Sequence, residues 1–324
     1  MTDRRDVTLQ DVYAARARLR GHIPRTPLRE SAWLSSTTDA RILLKLESVQ
    51  VTNSFKIRGA VHAAVRLAQS DNPKTIVTAS AGNHGRAIAW AAARFGLTAV
   101  VFTPATAPET KKAAIRHQGA ELRDDAPDYD TAEQLARDYA AHEDAIFISP
   151  YNHPDVIAGA GTIALEILDA APDVETVFVP VGGGGLASGI GLVLKSAAPH
   201  ATVVGVEVEA SRPFAVGIAK GKITTIEVRP SLADGLIGNL EPGSVTFNLV
   251  RRHVDSLVSV GEEGLRGAIR GLAAEEHVIA EGAGAAATAA ILSGQAVRPG
   301  QRAVVLVSGS NIDLGLLSAI LSDR

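Results

Sequence analysis

Runs of apolar, largely β-branched residues alternate with segments of helical periodicity along much of this chain. The apolar runs occupy 75–78, 97–102, 176–181, 203–208 and 303–307. Short apolar runs that alternate with helices are typical of parallel sheets whose two faces are both covered by helices. We therefore predict an α/β fold with two lobes, each holding a mainly parallel sheet flanked by helices.

The distribution of these strand–helix units predicts where the two lobes lie. One group of units falls within 75–150, and Pro150 and Pro154 mark its end. We predict a smaller lobe at 75–150 and a larger lobe formed by 1–74 and 151–324. In open sheets of this class, ligands bind beyond the carboxyl ends of strands, so the loops that follow the strands are the expected place for chemistry.

One uncharged stretch has the length of a membrane span. Residues 176–194 carry no charge, but Pro180 and four consecutive glycines at 182–185 interrupt them. A spanning helix needs about 20 consecutive apolar residues, so we interpret this stretch as a buried strand, a loop and a helix. The amino-terminal sequence MTDRRDVTLQD is polar where a secretory signal is apolar, and we expect a cytoplasmic protein with no membrane partner.

Composition narrows the classes of function. The chain has 324 residues, a net charge of −3 and 4% aromatic residues. Nucleic-acid binding needs a basic surface for phosphates and aromatic platforms for bases, so we expect no nucleic-acid partner. The chain contains no cysteine, which excludes disulfides, thiolate nucleophiles and cysteine-bound zinc.

The loop after the run at 176–181 has the features of a phosphate site. Gly182, Gly183, Gly184 and Gly185 lie between a predicted strand and a predicted helix. Glycine lets backbone N–H groups converge on an anion, and the positive end of the helix dipole adds to the attraction. Because a tight turn alone does not need four glycines, we interpret the loop as a phosphate cradle.

The same loop leaves a second interpretation open. Gly182, Gly184 and Ala187 satisfy the dinucleotide pattern G-x-G-x-x-A, and Glu207 stands where a ribose-binding acid is expected. An NAD-linked oxidoreductase is therefore a competing hypothesis. The pattern discriminates weakly, because any loop of four glycines meets most of it.

A lysine in the segment SFKIRGA at 54–60 favours the first interpretation. Ser54 is the expected N-cap of a helix whose first turn contains Lys56. The helix dipole disfavours a cation there, and nearby Arg58 and partial burial act in the same direction, so we expect Lys56 to favour the free amine. A free lysine amine forms Schiff bases with aldehydes. Beside a phosphate cradle it points to a phosphorylated aldehyde, pyridoxal 5′-phosphate.

Two further polar loops follow predicted strands and supply groups for the same ligand. The first consists of Ser80, Ala81, Gly82, Asn83 and His84. Its N–H groups and the Ser80 hydroxyl suit a substrate carboxylate, and Asn83 suits the phenolic oxygen of the cofactor. In the second loop, SGSN at 308–311, the Ser308 hydroxyl suits the pyridine nitrogen. Taken singly, the first loop is interpreted equally well as an N-capping turn, and the second is better explained as a polar turn.

Together these segments resemble the threonine dehydratase and serine racemase family of fold-type II, tryptophan synthase β-like, pyridoxal phosphate enzymes. The similar segments span nearly the whole chain in the family's order: SFKIRGA at 54–60, SAGNHG at 80–85, TPATAPETKKAAIRHQGA at 103–120, GGGGL at 182–186, LADG at 232–235, EGAGA at 281–285 and SGSNID at 308–313. The combination is specific, although no single segment is. Because the chain ends soon after SGSNID, it resembles the short form without the regulatory domain.

The resemblance implies a role for each candidate residue. Lys56 is the Schiff-base lysine, and Phe55 packs beside the cofactor ring. The loop from Ser80 to His84 holds the substrate carboxylate on a mobile smaller lobe, where Asn83 also contacts the cofactor. The remaining cofactor contacts, to the phosphate and the pyridine nitrogen, come from Gly182, Gly183, Gly184, Gly185, Leu186 and Ser308. The resemblance also implies a homodimer.

Two departures from the family pattern change what is expected. Serine racemase-like sequences have a serine where Ala81 stands, and a methyl group cannot exchange a proton, so elimination is favoured over racemisation. The family's divalent-cation site uses a glutamate, which Glu207 matches, and an aspartate a few residues later, where Pro213 stands. This second departure argues against a bound Mg²⁺ or Ca²⁺.

The expected reaction is removal of water from a threonine-like or serine-like β-hydroxy amino acid, which gives a 2-oxo acid and ammonia. Lys56 acts as the general base, and the cofactor spreads the charge that forms at the α-carbon. The alternatives are a dehydratase specific for 3-hydroxyaspartate or another hydroxy amino acid in a catabolic pathway, an amino acid racemase, a non-catalytic cofactor-binding protein and the NAD-linked oxidoreductase. The last of these leaves SFKIRGA and SAGNHG unexplained.

Overall fold

Strands and helices alternate along most of the chain. The computed structural model describes residues 6–70, 74–294 and 297–323. The strands are β1 (Leu28–Glu30), β2 (Arg41–Leu46), β3 (Ile76–Ala79), β4 (Ala99–Pro104), β5 (Glu121–Ala126), β6 (Ile146–Phe147), β7 (Thr176–Pro180), β8 (Thr202–Val208), β9 (Ser256–Val260) and β10 (Arg302–Val307). The helices are α1 (Leu9–Leu19), α2 (Ala32–Thr38), α3 (Lys56–Ala68), α4 (Asn83–Arg94), α5 (Glu109–His117), α6 (Tyr129–His142), α7 (Pro154–Ala170), α8 (Gly185–Ala197), α9 (Pro213–Lys220), α10 (Val245–His253), α11 (Glu262–Glu275), α12 (Gly282–Leu292) and α13 (Leu314–Ser322).

Packing divides the chain into two units. Unit 1 consists of Met1–Pro24 and Lys56–Ala160, and unit 2 consists of Arg25–Phe55 and Gly161–Arg324. The division falls between Phe55 and Lys56, so two adjacent candidate residues belong to different units. The predicted smaller lobe at 75–150 lies wholly within unit 1, which also contains the segments that carry α1 and α3.

Unit 1 is built on a four-stranded sheet in the order β5–β4–β3–β6, with every neighbouring pair parallel. Helix α3 joins this unit because its apolar face is buried with that of α4, around Ile57, Val61 and Ile88. An amphipathic helix is stable only where its apolar stripe is covered. This packing is the physical reason that 56–74 groups with 75–150 rather than with the sequence that precedes it.

Unit 2 is built on a six-stranded sheet in the order β1–β2–β10–β7–β8–β9. Only the edge pair β1–β2 is antiparallel, and the other neighbours are parallel. The central strands are apolar on both faces, as in β10, where all residues from Ala303 to Val307 are buried. Helices α8 and α12 are likewise almost wholly buried. The prediction of parallel sheets flanked by helices is confirmed.

The uncharged stretch at 176–194 has the structure that its proline and glycines predict. It forms β7, a short glycine loop and most of α8. Within the ranges that the structure describes, no helix combines the length and the apolar character that a membrane crossing requires.

Candidate active site

Lys56 is the first residue of α3 and so lies in the first helical turn, as the sequence predicts. Its Nζ donates a hydrogen bond to the carbonyl oxygen of Pro150 at 2.7 Å. Pro150 lies in the loop between β6 and α7, also in unit 1. The amine is therefore held at the start of a helix, with a backbone carbonyl oriented towards it.

The position of Lys56 depends on a close crossing of α3 and α7. A Cβ atom at Gly59 would lie 2.8 Å from Cα of Val156, and one at Gly159 would lie 2.6 Å from Cα of Gly59. Real Cβ atoms do not come so close to backbone, so only glycine permits this approach. Since Gly59 is less than one turn from Lys56, the crossing fixes the helix end that carries the lysine.

A buried polar cluster reinforces the same crossing. Asp155, in the first turn of α7, accepts a hydrogen bond from Arg66 through its carboxylate and faces Nδ1 of His62 through its backbone oxygen at 3.1 Å. Burial lowers the pKa of His62, although the charge of Asp155 acts in the opposite direction. A neutral ring donates from Nδ1 to Asp155, and its Nε2 then accepts from Arg18 at 3.3 Å.

The expected N-cap of α3 is wrong. The Ser54 hydroxyl is fully buried and has no hydrogen-bond partner within the described part of the chain. Ser54 instead forms a β-bridge with Gly309, and the next residue, Phe55, donates its N–H to the carbonyl of Ser308 at 3.0 Å. The sequence pattern for a cap could not reveal this long-range pairing, which joins two candidate segments of unit 2.

The predicted carboxylate loop follows β3 and leads into α4. The backbone N–H of Ser80 donates to the carbonyl oxygen of Phe102. The Ser80 hydroxyl accepts a hydrogen bond from the backbone N–H of Gly82 at 3.2 Å. Helix α4 begins at Asn83, so the N–H groups of its first turn have no partner within the helix. Such groups bind anions, because the helix dipole places positive potential there.

The His84 side chain points away from that group of donors and into unit 1. It is only 2% exposed, and its Nε2 lies 3.2 Å from the carbonyl oxygen of Ile148, to which it donates as a neutral ring. Burial is the main cause that lowers the pKa of His84 to about 3, and Lys56 acts in the same direction when its amine is protonated. The backbone N–H of His84, rather than its ring, is therefore the group with the character of a carboxylate donor.

The glycine loop connects β7 to α8 in unit 2. Gly184 is the N-cap of α8 and has a φ of +83°, a left-handed conformation that favours glycine. A Cβ atom at Gly182 would lie 2.9 Å from Cα of Leu236, and one at Gly184 would overlap the ring of Phe214. The loop is thus packed against the protein on one side. The N–H groups of the first turn of α8 have no partner within the helix, and groups of this kind can bind an anion.

Ser308 follows the end of β10 and is almost buried. Its hydroxyl donates to the carbonyl oxygen of Ala283, in the first turn of α12, at 3.3 Å. The residue after it, Gly309, accepts a hydrogen bond from the N–H of Glu281. Ser308 is therefore a neutral hydroxyl held by the start of α12, and Phe55 lies beside it on the chain that leads to Lys56.

Sequence reasoning missed several residues that shape these loops. Pro150 faces Lys56, Phe214 supports Gly184, and Thr246 donates its hydroxyl to the carbonyl of Gly183 at 2.8 Å. Glu281, in the segment EGAGA, is buried against Gly309. Of these four residues, Glu281 lies in a segment that the family resemblance had singled out. Pro150, Phe214 and Thr246 act through tertiary contacts, which no local sequence pattern reveals.

The dinucleotide hypothesis is wrong. A ribose-binding acid must project towards a ligand, but both Glu207 oxygens accept backbone hydrogen bonds inside unit 2, from Phe214 at 2.9 Å and Ala215 at 3.0 Å. Burial raises the pKa of Glu207 to about 7. Both carboxylate oxygens are therefore used to accept hydrogen bonds from the first turn of α9.

A lysine at the start of one helix and a glycine loop at the start of another, in an α/β fold, are features of the class of enzymes that use a phosphorylated carbonyl cofactor. A family model described as "Pyridoxal-phosphate dependent enzyme" matches residues 19–309, and the chain belongs to this family. The prediction of pyridoxal phosphate as the cofactor is confirmed.

Named proteins resemble the chain over almost its full length. It is 40% identical to an L-threonine ammonia-lyase of Thermotoga maritima, over 98% of this chain and 78% of the relative. It is 38% identical to the catabolic L-threonine dehydratase TdcB of Escherichia coli, over 97% of this chain and 96% of the relative. The structure of maize serine racemase is similar with a TM-score of 0.90 and 29% identity, covering 98% of this chain and 97% of that chain.

Proposed function

We propose that this protein is a pyridoxal-phosphate-dependent ammonia-lyase that removes water from threonine or a closely similar β-hydroxy amino acid. The products are a 2-oxo acid and ammonia. The observation that carries the proposal is the similarity, over nearly the whole chain, to enzymes named for the deamination or dehydration of L-threonine.

Lys56 is the proposed catalytic residue. When bound, the cofactor supplies an aldehyde for amines and a ring that accepts the electron pair left at the α-carbon. Lys56 holds the cofactor at rest and, once released, takes the α-proton at Nζ as the general base. The Pro150 carbonyl, 2.7 Å from Nζ, accepts one N–H of a neutral amine and so directs its lone pair away from Pro150.

The substrate carboxylate is proposed to bind the loop that precedes α4. Its ligands are the hydroxyl of Ser80 and the backbone N–H groups of Ala81, Gly82, Asn83 and His84. The positive end of α4 stabilises the negative charge, which orients the α-proton for Lys56. The Asn83 side chain is proposed to contact the phenolic oxygen of the cofactor.

The cofactor phosphate is proposed to bind the N–H groups of Gly182, Gly183, Gly184, Gly185 and Leu186. Phe55 then packs beside the ring, and the Ser308 hydroxyl faces the pyridine nitrogen. A hydroxyl at this position, unlike a carboxylate, would not enforce a proton on that nitrogen, which suits elimination better than racemisation.

A racemase is the second candidate, because the maize serine racemase structure matches this chain with a TM-score of 0.90. Racemisation needs a proton donor on the substrate face opposite Lys56. Ala81 offers only a methyl group in the position that the family resemblance assigns to that donor. We therefore expect 2-oxo acid to exceed D-amino acid in any assay with an L-substrate.

The test is a panel of β-hydroxy amino acids, including threonine, serine and 3-hydroxyaspartate, scored for 2-oxo acid, ammonia and the D-enantiomer. We expect threonine or serine to give 2-oxo acid and ammonia in equal amounts. Lys56→Ala is expected to abolish turnover, whereas the exposed Lys222→Ala serves as a control that retains it. Dominant D-amino acid formation, or normal turnover by Lys56→Ala, would contradict the proposal.

A homodimer is proposed as the assembled form. Helix α13 leaves Leu314 78% exposed and Leu321 45% exposed. The neighbouring segment carries the exposed Val49 and Val51, and Ser310 ties the two segments together by donating to the carbonyl of Ser48 at 2.7 Å. Apolar groups gathered in this way are stabilised when a second copy covers them.

A cytoplasmic location is the last part of the proposal. Amino acids and pyridoxal phosphate, which the proposed reaction requires together, are both available in the cytoplasm. Fractionation of the source cells, followed by detection of the protein with an antibody, tests this location. Recovery from a membrane or exported fraction would contradict it.

A further inference from the structure

Glu207 acts as the cap of a helix to which it does not belong. It lies near the end of β8, is 1% exposed, and accepts hydrogen bonds from the N–H groups of Phe214 and Ala215 at 2.9 and 3.0 Å. These are the second and third residues of α9, whose donors the N-cap side chain normally satisfies. The N-cap of α9 is Arg212, which has donors only, so the carboxylate of Glu207 takes its place.

This arrangement does not suit the divalent cation that the family resemblance places at Glu207. Both carboxylate oxygens already accept backbone hydrogen bonds, and the second ligand position holds Pro213, which offers no side-chain oxygen. The positive end of α9 faces this carboxylate, and the charge of Arg212 also acts on it, so both disfavour a cation there. Within the described ranges, no three acidic or histidine side chains converge as metal ligands would.

The capped helix supports the glycine loop directly. The second residue of α9, Phe214, is fully buried, and its ring fills the space that a Cβ atom at Gly184 would occupy. That ring stacks on Phe247 of α10, with centroids 6.4 Å apart and planes at 18°. In the same helix, Thr246 donates to the carbonyl of Gly183 at 2.8 Å. Helices α9 and α10 thus fix two successive residues of the loop.

We propose that Glu207 is a positioning residue for the phosphate cradle, and that it does this work as an internal helix cap without any divalent cation. By anchoring the first turn of α9, it holds the Phe214 ring against Gly184 and keeps the loop N–H groups converged. The inference rests on the proposed role of the glycine loop in binding the cofactor phosphate. It predicts that phosphate affinity depends on Glu207 and does not depend on Mg²⁺ or Ca²⁺.

The first experiment measures binding of inorganic phosphate and of pyridoxal phosphate to the cofactor-free protein by calorimetry. Glu207→Gln replaces one accepting oxygen with an amide that faces an N–H group, and Phe214→Leu removes the ring. Each is expected to weaken phosphate binding by about tenfold. Glu209→Gln is the matched control, because it removes an exposed carboxylate two residues away that does not cap α9, and it is expected to bind as the wild type does.

The double variant distinguishes positioning from general destabilisation. If Glu207 acts through Phe214, the combined loss of affinity in Glu207→Gln with Phe214→Leu is smaller than the product of the two single losses. If the two residues acted independently, the two losses of phosphate affinity would multiply in the double variant. A Glu207→Gln protein with a lowered melting temperature but wild-type phosphate affinity would show that Glu207 is only structural and would overturn the proposal.

The second experiment adds EDTA, then Mg²⁺ or Ca²⁺ alone, to the wild-type protein. We expect no change in melting temperature or in phosphate affinity, whereas a cation that raises either would overturn the metal-free cap. A wild-type protein that binds neither phosphate nor pyridoxal phosphate would instead overturn the assignment of the glycine loop, and the inference with it. Failure of the metal-free cap can therefore be distinguished from failure of the proposed phosphate site.

Discussion

At the scale of single residues, three polar groups of the candidate site contact backbone carbonyls. Lys56 donates to the carbonyl of Pro150, His84 faces the carbonyl of Ile148, and Ser308 donates to the carbonyl of Ala283. A backbone carbonyl does not titrate, so each contact orients its partner without adding a charge. This arrangement suits groups whose protonation must change or must stay fixed during a reaction.

His84 should make the free energy of unfolding decrease as the solution becomes acidic. The folded protein keeps its imidazole neutral down to a pKa of about 3, whereas the unfolded chain binds a proton near pH 6.5. The contribution of the neutral His84 ring to the free energy of unfolding is complete above pH 6.5, and it is lost as the pH falls from there towards 3. Because Gln can still donate to Ile148, His84→Gln should reduce the slope of unfolding free energy against pH by about 1.4 kcal/mol per unit in this window.

Urea titrations at a series of pH values measure that slope. The control is His142→Gln, whose ring is exposed and whose Nδ1 lies 2.7 Å from the carbonyl oxygen of Asp138. We expect the control to keep the wild-type slope. An equal slope in the wild type and in His84→Gln would show that the imidazole is not held neutral.

Gly184, in the proposed phosphate cradle, should tolerate replacement by alanine poorly. Gly184→Ala combines a left-handed φ with overlap of the Phe214 ring, whereas Gly221→Ala has a similar φ of +70° but open space around it. We expect Gly221→Ala to cost about 1 kcal/mol of stability and to leave cofactor affinity unchanged. Gly184→Ala should cost at least about 2 kcal/mol and weaken pyridoxal phosphate binding, since overpacking adds to the strain.

Chemical unfolding and a cofactor titration of both variants provide the measurement. Equal losses of stability in the two variants would show that the Phe214 ring moves aside easily. Unchanged cofactor affinity in Gly184→Ala would separate this glycine from the phosphate cradle.

At the scale of elements, the close crossing of α3 and α7 determines where the lysine lies. Helices normally pack 8–10 Å apart, and pairs of glycines allow a closer approach. Gly59 and Gly159 provide such a pair, and Asp155 adds contacts to Arg66 and His62 at the same crossing. The position of Lys56 is therefore a property of two helices that lie far apart in the sequence.

Gly159→Ala should separate these helices. Its Cβ atom would lie 2.6 Å from Cα of Gly59, so we expect a loss of about 1–3 kcal/mol and a lower kcat, because the first turn of α3 must shift. The matched control is Gly267→Ala in α11, where no atom beyond the backbone of its own helical turns lies within 4 Å of the new methyl group among the described residues. That change should stabilise the protein by about 1 kcal/mol and leave kcat unaltered.

Thermal unfolding and steady-state kinetics on the two variants measure these effects. A stable and fully active Gly159→Ala protein would mean that the crossing tolerates a wider separation. The position of Lys56 would then depend on other contacts.

At the scale of the whole molecule, each unit has its own mainly parallel sheet and its own apolar core. The exposed apolar side chains of α13 lie outside those cores, with Leu317 and Ile320 buried on the opposite face of the helix. A helix that is apolar on both faces is typical of a position between two covered surfaces. This is the structural support for the proposed homodimer.

Leu314→Glu should shift the protein towards the monomer, because it places a charge on the face that a second copy is proposed to cover. The control is Leu135→Glu on α6, a residue that is 40% exposed in unit 1. Light scattering coupled to size-exclusion chromatography measures the molar mass of the wild type and of both variants. A wild-type monomer, or a dimer that survives Leu314→Glu, would contradict the proposed interface.

The sequence alone determined the local part of this protein. Apolar runs predicted the strands at 75–78, 203–208 and 303–307 to within two residues. Strand period, helix period and glycine content depend on neighbours along the chain, so they can be interpreted without a fold. The same local signals led to Lys56, to the glycine loop and to the cofactor class.

Tertiary structure alone decided which distant groups meet. The bridge of Ser54 to Gly309 replaced the predicted N-cap, and the packing of α3 on α4 extended unit 1 beyond 75–150. It also turned Glu207 into the cap of α9. Each result depends on burying an apolar face or satisfying a buried polar group with a partner far away in sequence. No local pattern can encode such a choice, because its free energy exists only once the chain has folded.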